Sequence, residues 1–147
     1  MCLTTVTSTQ TEEIEGIGWK VVGVVGRIPD QNEEENNEFY FIYGPGGFRT
    51  YPYNQWLERV DWQQYNMKMI KLSVSLPKFQ FPNYPIGFHI FLTKQDAMTY
   101  AIDTCSAWNA ADRFVVKVKY KTILAKGTQD GSPCVVTQFL YVEKPCA

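Results

Sequence analysis

Gly87-Phe88-His89-Ile90-Phe91-Leu92-Thr93 is a short apolar run that ends on a hydroxyl residue, and its reading decides the fold. It is too short for a buried helix and suits a buried strand. Thr93 then stands as a helix N-cap with Asp96 in the position that completes a variant capping box: the hydroxyl accepts from the Asp96 amide and the carboxylate reaches back to the Thr93 amide. Ala97, Ala101, Cys105 and Trp108, flanked by Met98 and Ile102, recur at helical spacing. The pattern predicts a helix over about 94–108 with one face packed on a sheet.

Strands are predicted on both sides of this unit. Gly18-Trp19-Lys20-Val21-Val22-Gly23-Val24-Val25 is β-branched and bounded by glycine, with Glu38-Phe39-Tyr40-Phe41-Ile42-Tyr43 as its expected partner across an acidic loop. Gly44-Pro45-Gly46-Gly47 is turn chemistry. Asn54 to Met67 reads as a short helical turn or loop laid on the sheet, and Lys68 to Val74 as a further strand. Pro77, Pro82 and Pro85 make the next stretch an extended, aromatic connector. Downstream, Phe114, Val116, Val118 and Tyr120 alternate with Val115, Lys117, Lys119 and Lys121, a strand with one buried and one basic face. Cys134 to Val142 completes an antiparallel hairpin across the loop Gly127 to Pro133. The expected class is α+β, a twisted, mainly antiparallel sheet with one principal helix. Residues 1–15, rich in Thr, Ser and Glu, read as a flexible arm, and 16–147 as a single domain.

The chain has 147 residues, 45% apolar, 15% aromatic and 20% charged, which is the composition of a folded globule. Its net charge of −1 supplies no global field to draw it to nucleic acid or an anionic membrane. No run of apolar residues reaches the ~18–20 needed to span a bilayer, and the N-terminus lacks a secretory pattern, so a cytosolic location is expected. The four cysteines, Cys2, Cys105, Cys134 and Cys146, lack metal-ligand spacing; Cys105 and Cys134 read as core thiols.

His89 is the sole histidine, which excludes a histidine triad or multi-histidine metal centre. No nucleophile motif, nucleotide-binding loop, paired carboxylate or cofactor motif is present. Two candidate sites remain. The first is an anion site for a nucleotide-like ligand at the strand end, formed by His89, the Thr93 helix start and Lys117, Lys119 and Lys121. Its structural counterpart is a half-buried imidazole and a lysine face that serves solubility. Nucleic acid is disfavoured because no aromatic residue alternates with the lysines on their strand. The second is an aromatic protein-binding surface drawn from Tyr51, Tyr53, Trp56, Trp62, Phe79, Phe81 and Tyr84.

The start Met1-Cys2-Leu3-Thr4-Thr5, the strand Gly18 to Val22, the Gly87 to Ala97 unit and the closing hairpin with Val115-Val116-Lys117-Val118, Gly127 and Val135-Val136 together resemble small phage- and prophage-encoded accessory proteins. The resemblance implies a non-enzymatic protein in the host cytoplasm that binds a host protein, including defence components such as CRISPR effectors. It transfers no active site. Gly87 to Phe91 with Ala97-Met98-Thr99-Tyr100 is also similar to part of the ADP-ribosyltransferase fold. That second likeness departs at Phe88 or His89, at Trp19 and Lys20, and at Glu143 near the chain end, and so implies a degenerate scaffold, with an NAD-dependent transferase as the alternative.

Overall fold

A computed structural model describes residues 3–24, 38–41, 50–59, 84–85, 87–103 and 113–145. Eight strands and one helix are found among them: β1 (Thr5–Ser8), β2 (Glu12–Val24), β3 (Glu38–Phe41), β4 (Thr50–Pro52), β5 (Trp56–Glu58), β6 (Phe88–Phe91), α1 (Lys94–Asp103), β7 (Arg113–Gln129) and β8 (Ser132–Val142). All pair antiparallel, which gives the expected α+β class. The predicted helical positions Cys105 and Trp108, the acidic and glycine-rich loops, the strand Lys68 to Val74 and the termini Cys2 and Cys146 lie outside the described residues.

The long β7–β8 hairpin is the frame. β8 runs along one edge of β7, and β2 followed by β1 covers the other. On the far edge of β8 lie β6 and β5. β6 then meets β2 through the pair Trp19↔Phe91, which closes β2, β7, β8 and β6 into a ring. β3 and β4 extend from β2 beyond that point, starting at Val22↔Phe41.

Side-chain alternation divides the sheet into an enclosed and an outer face. Val22, Phe88, Ile90, Val118 and Leu140 point inward and pack with Phe39, Phe41, Tyr51, Tyr53 and Leu57 from β3 to β5. Phe91, Cys134 and Val136 point outward and are covered by Ala97 of α1, Leu3 and Tyr84. α1 can lie close because Ala97 is small and fully buried, and Tyr100 stacks its ring 5.2 Å from Phe91. The alternation of β7 breaks at Thr122, whose φ of 58° is costly for a β-branched residue. Beside it the register slips against both β2 and β8, so the inward set passes from Val116, Val118 and Tyr120 to Ile123.

Two expectations need correction. Order does not begin at Gly16: β1 pairs with β7, the Thr4 amide donates to the Thr128 carbonyl at 2.8 Å, and β2 starts at Glu12. Backbone pairing holds this segment, which its Thr-rich composition hides. Within the turn or loop expected over Asn54 to Met67, Trp56–Glu58 instead forms β5 against β8, and residues 60–67 lie outside the described residues.

The hairpin turn is tighter than predicted. β7 continues to Gln129 and β8 starts at Ser132, leaving Asp130 (φ 50°) and Gly131 (φ 85°) as a two-residue turn of type I′ character. A Cβ added at Gly131 would touch nothing within 4 Å, so any penalty there is conformational. Gly131→Ala is expected to cost about 1 kcal/mol, read as a fall of roughly 2–4 °C in Tm by calorimetry.

Candidate functional site

The predicted anion site does not assemble. His89 is only 9% exposed, on the outer face of β6 beneath Tyr84. Its ring nitrogen Nε2 pairs with the Tyr84 hydroxyl at 2.8 Å. That hydroxyl in turn accepts from the Leu3 amide at 2.8 Å. Burial first, then the ammonium of Lys20 and the chain's amino terminus, push the imidazole down to about 3. The ring is therefore neutral at physiological pH and enclosed, with Nε2 already paired to Tyr84. It serves as a latch between the N-terminal segment and the sheet.

The helix start is filled as well. Thr93 Oγ1 accepts from the Asp96 amide at 3.2 Å, as the capping box predicts. The Asp96 carboxylate, however, accepts from the Thr93 hydroxyl at 2.7 Å rather than from its amide, and its second oxygen takes the Ser132 hydroxyl at 3.2 Å. A carboxylate already occupies the positive end of α1, so an incoming anion would meet like charge. Lys117, Lys119 and Lys121 lie on β7, which β8 or β2 separates from β6.

Lys20, which the sequence does not mark as a ligand or buried group, is the one buried lysine among the described residues, 8% exposed. It sits where β2 leaves β6 for β3. Its Nζ donates to the His89 carbonyl at 2.7 Å and lies 5.3 Å from the centre of the Phe41 ring. Burial pulls this amine down to about 8.

The predicted aromatic surface divides. Tyr51, Tyr53 and Tyr84 are core residues, because their rings pack on Phe39, Phe41 and His89. Trp62, Phe79 and Phe81 lie outside the described residues. Trp56 is 42% exposed and belongs to a different assembly from the one expected. Strand register places Trp56 opposite Tyr141, Tyr141 opposite Lys119, and Lys119 opposite Ile17. One row thus crosses β5, β8, β7 and β2 on the outer face.

The neighbouring rows extend it. Glu58, Phe139, Lys121 and Glu15 lie on one side, and Lys117 pairs with Trp19 on the other. The Lys121 ammonium stands 4.2 Å from the Trp56 ring centre and 3.5 Å from Glu15, while Lys119 stands 5.2 Å from Tyr141 and 3.4 Å from Glu143. These are solvent-exposed pairs, individually worth little and exchangeable against a partner's groups. Between the rows is an open groove of about 330 Å³ lined by Glu15, Gly16, Ile17, Trp56, Lys119 and Tyr120. Gly16 lines it, and on the inward side the Tyr120 ring fills the space where a Gly16 Cβ would go. Ile17, 54% exposed, forms the opposite wall from Trp56.

The lysine strand therefore does have aromatic neighbours on its face, supplied by other strands. The signal in the sequence was the outward set Glu15, Ile17, Trp19 on β2 and Phe139, Tyr141 on β8, which becomes legible only once register is known. Comparison with family models, curated proteins and solved structures found no match. The likeness to the ADP-ribosyltransferase fold is accordingly unsupported, and Lys20, at the place where such an enzyme would grip NAD, is enclosed in the core. Among the described residues no helix is long and apolar enough to cross a membrane.

Proposed function

We propose that the protein acts by binding, as a phage accessory protein that engages a protein of its host in the host cytoplasm. Its contact surface is the outer sheet face centred on Trp56. One observation carries this reading: exposed Trp56 and Ile17 face each other across an open groove, with charged pairs at its margin. A desolvatable aromatic anchor inside a charged rim is the arrangement that concentrates binding energy at protein interfaces. The resemblance to phage-encoded accessory proteins supplies the class of partner, a host component, with defence proteins such as CRISPR effectors first among those to test.

The experiment is affinity capture from host lysate with wild-type protein and the Trp56→Ala variant side by side. Loss of a central tryptophan anchor costs about 2 kcal/mol or more at an interface, so the variant is expected to lose at least ~30-fold in affinity for the captured protein. Trp56 is outside the buried core, and its variant should keep the wild-type circular dichroism and Tm within about 2 °C. Equal recovery of the same proteins by both would remove this face from the function.

A further inference from the structure

The face around Trp56 is electrically lopsided, and this specifies its partner more narrowly than a bare aromatic patch could. At the groove the lysines are already matched, Lys119 by Glu143 and Lys121 by Glu15. Two residues further along β2 and β7 the balance changes. Trp19 lies opposite Lys117, and Lys94 of α1 holds its ammonium 5.4 Å from the Trp19 ring centre. Both lysines are exposed, and neither has a carboxylate partner among the described residues. The surface thus runs from an apolar, charge-balanced groove to an uncompensated cationic end, about 7 Å away by strand rise.

We infer that this face binds an acidic protein segment carrying one bulky apolar side chain, which seats between Ile17 and Trp56 while carboxylates reach Lys117 and Lys94. The inference rests on the binding reading above and names the chemistry of the partner. A groove of about 330 Å³ is at the bottom of the ~300–1,000 Å³ range of small-molecule sites and is open along its length, which suits one projecting side chain better than an enclosed ligand. Polynucleotide is the less favoured occupant, since Glu15 lines the groove and Glu143 stands beside it, where a phosphate track would pass. Carboxylates spaced along an extended segment meet the ammonium groups of Lys117 and Lys94, which have no carboxylate partner among the described residues. Charge complementarity of this kind sets the direction of docking and excludes basic competitors.

Four fluorescent probes test it by anisotropy: a short peptide with one tryptophan flanked by glutamates, its twin with lysine for glutamate, its twin with alanine for tryptophan, and a thymidine oligonucleotide. The acidic tryptophan peptide is expected to bind at least about tenfold more tightly than each of the other three. Lys94→Glu with Lys117→Glu should abolish that preference, and Trp56→Ala should reduce it to the level of the alanine twin. Equal binding of acidic and basic peptides, tighter binding of the oligonucleotide, or no binding of any probe would each overturn the inference. If no probe binds while Trp56→Ala still loses a host protein, the binding reading stands and the acidic partner falls. If that variant also captures as wild type does, both fall.

Discussion

Acidification from pH 7 to pH 4 is expected to lower the stability of this protein by about 3 kcal/mol, and His89 is the residue responsible. In the unfolded chain the imidazole takes up its proton near 6.5, whereas in the fold it is held neutral down to about 3. Between those values the unfolded state binds more protons than the native one, so stability falls as pH falls. The contribution is complete above pH ~6.5 and is lost progressively towards pH ~3. A displacement of this size has a ceiling of about 5 kcal/mol, which is comparable with the whole stability of many domains. A proton is poorly accommodated in the native state because the ring is enclosed under Leu3 and Tyr84, with Nε2 paired to the Tyr84 hydroxyl. Chemical denaturation at a series of pH values measures the slope directly. His89→Gln, which keeps a donor and an acceptor but does not titrate, should flatten the curve between pH 6.5 and 4. An unchanged curve in that variant would assign the acid sensitivity to other groups.

The same residue illustrates what the sequence makes legible. Strand, cap and helix around Gly87 to Thr93 are encoded locally, by a run of apolar residues, a hydroxyl with a carboxylate one turn on, and alanines at helical spacing. β6 and α1 follow those signals, and all four residues of β6 are buried. Local sequence carried the antiparallel hairpin too, because Asp130-Gly131 has the backbone preference its turn needs. What it could not carry was anything set by register. β1 is held by backbone hydrogen bonds to β7 that its Thr-rich side chains do not announce, and β5 is a three-residue strand with no period to detect. The lysine face is the plainest case: read along β7 it is a solvated stripe, while read across the sheet it alternates with Tyr141, Trp56 and Trp19. Tyr51 and Tyr53 err in the other direction, since their loop-like surroundings in sequence conceal a place in the enclosed core.

The largest effect on the alkaline side comes from Lys20, and it has an unusual shape because Cys134 opposes it. Burial lowers the Lys20 amine from 10.5 to about 8, so between those values the unfolded chain holds a proton that the native state has released. Stability therefore rises with pH from about 8 upward, by at most about 3 kcal/mol in all. Cys134, 2% exposed, is shifted the opposite way: burial lifts its thiol from 9.0 to about 12, with Lys20 pulling against the rise. Above pH ~9 the unfolded thiol ionises while the native one stays protonated, and stability falls with pH. The two terms predict an increase from pH 8 to 9, a near-plateau from 9 to about 10.5 where they cancel, and a decline beyond. Single variants separate them. Lys20→Met retains the length and apolar stem of the side chain, gives up the cost of a buried charge and leaves the His89 carbonyl without its donor, so at pH 7 the net change should be small. Its diagnostic is the loss of the rise between pH 8 and 9. Cys134→Ala should do the reverse, letting stability continue to climb to about pH 10.5 from a lower starting value set by the lost packing. A Lys20→Met protein that still gains stability from pH 8 to 9 would show that the ammonium is not the group released on folding. It would also show that the junction where β2 leaves β6 is closed by something other than a buried, weakly basic amine.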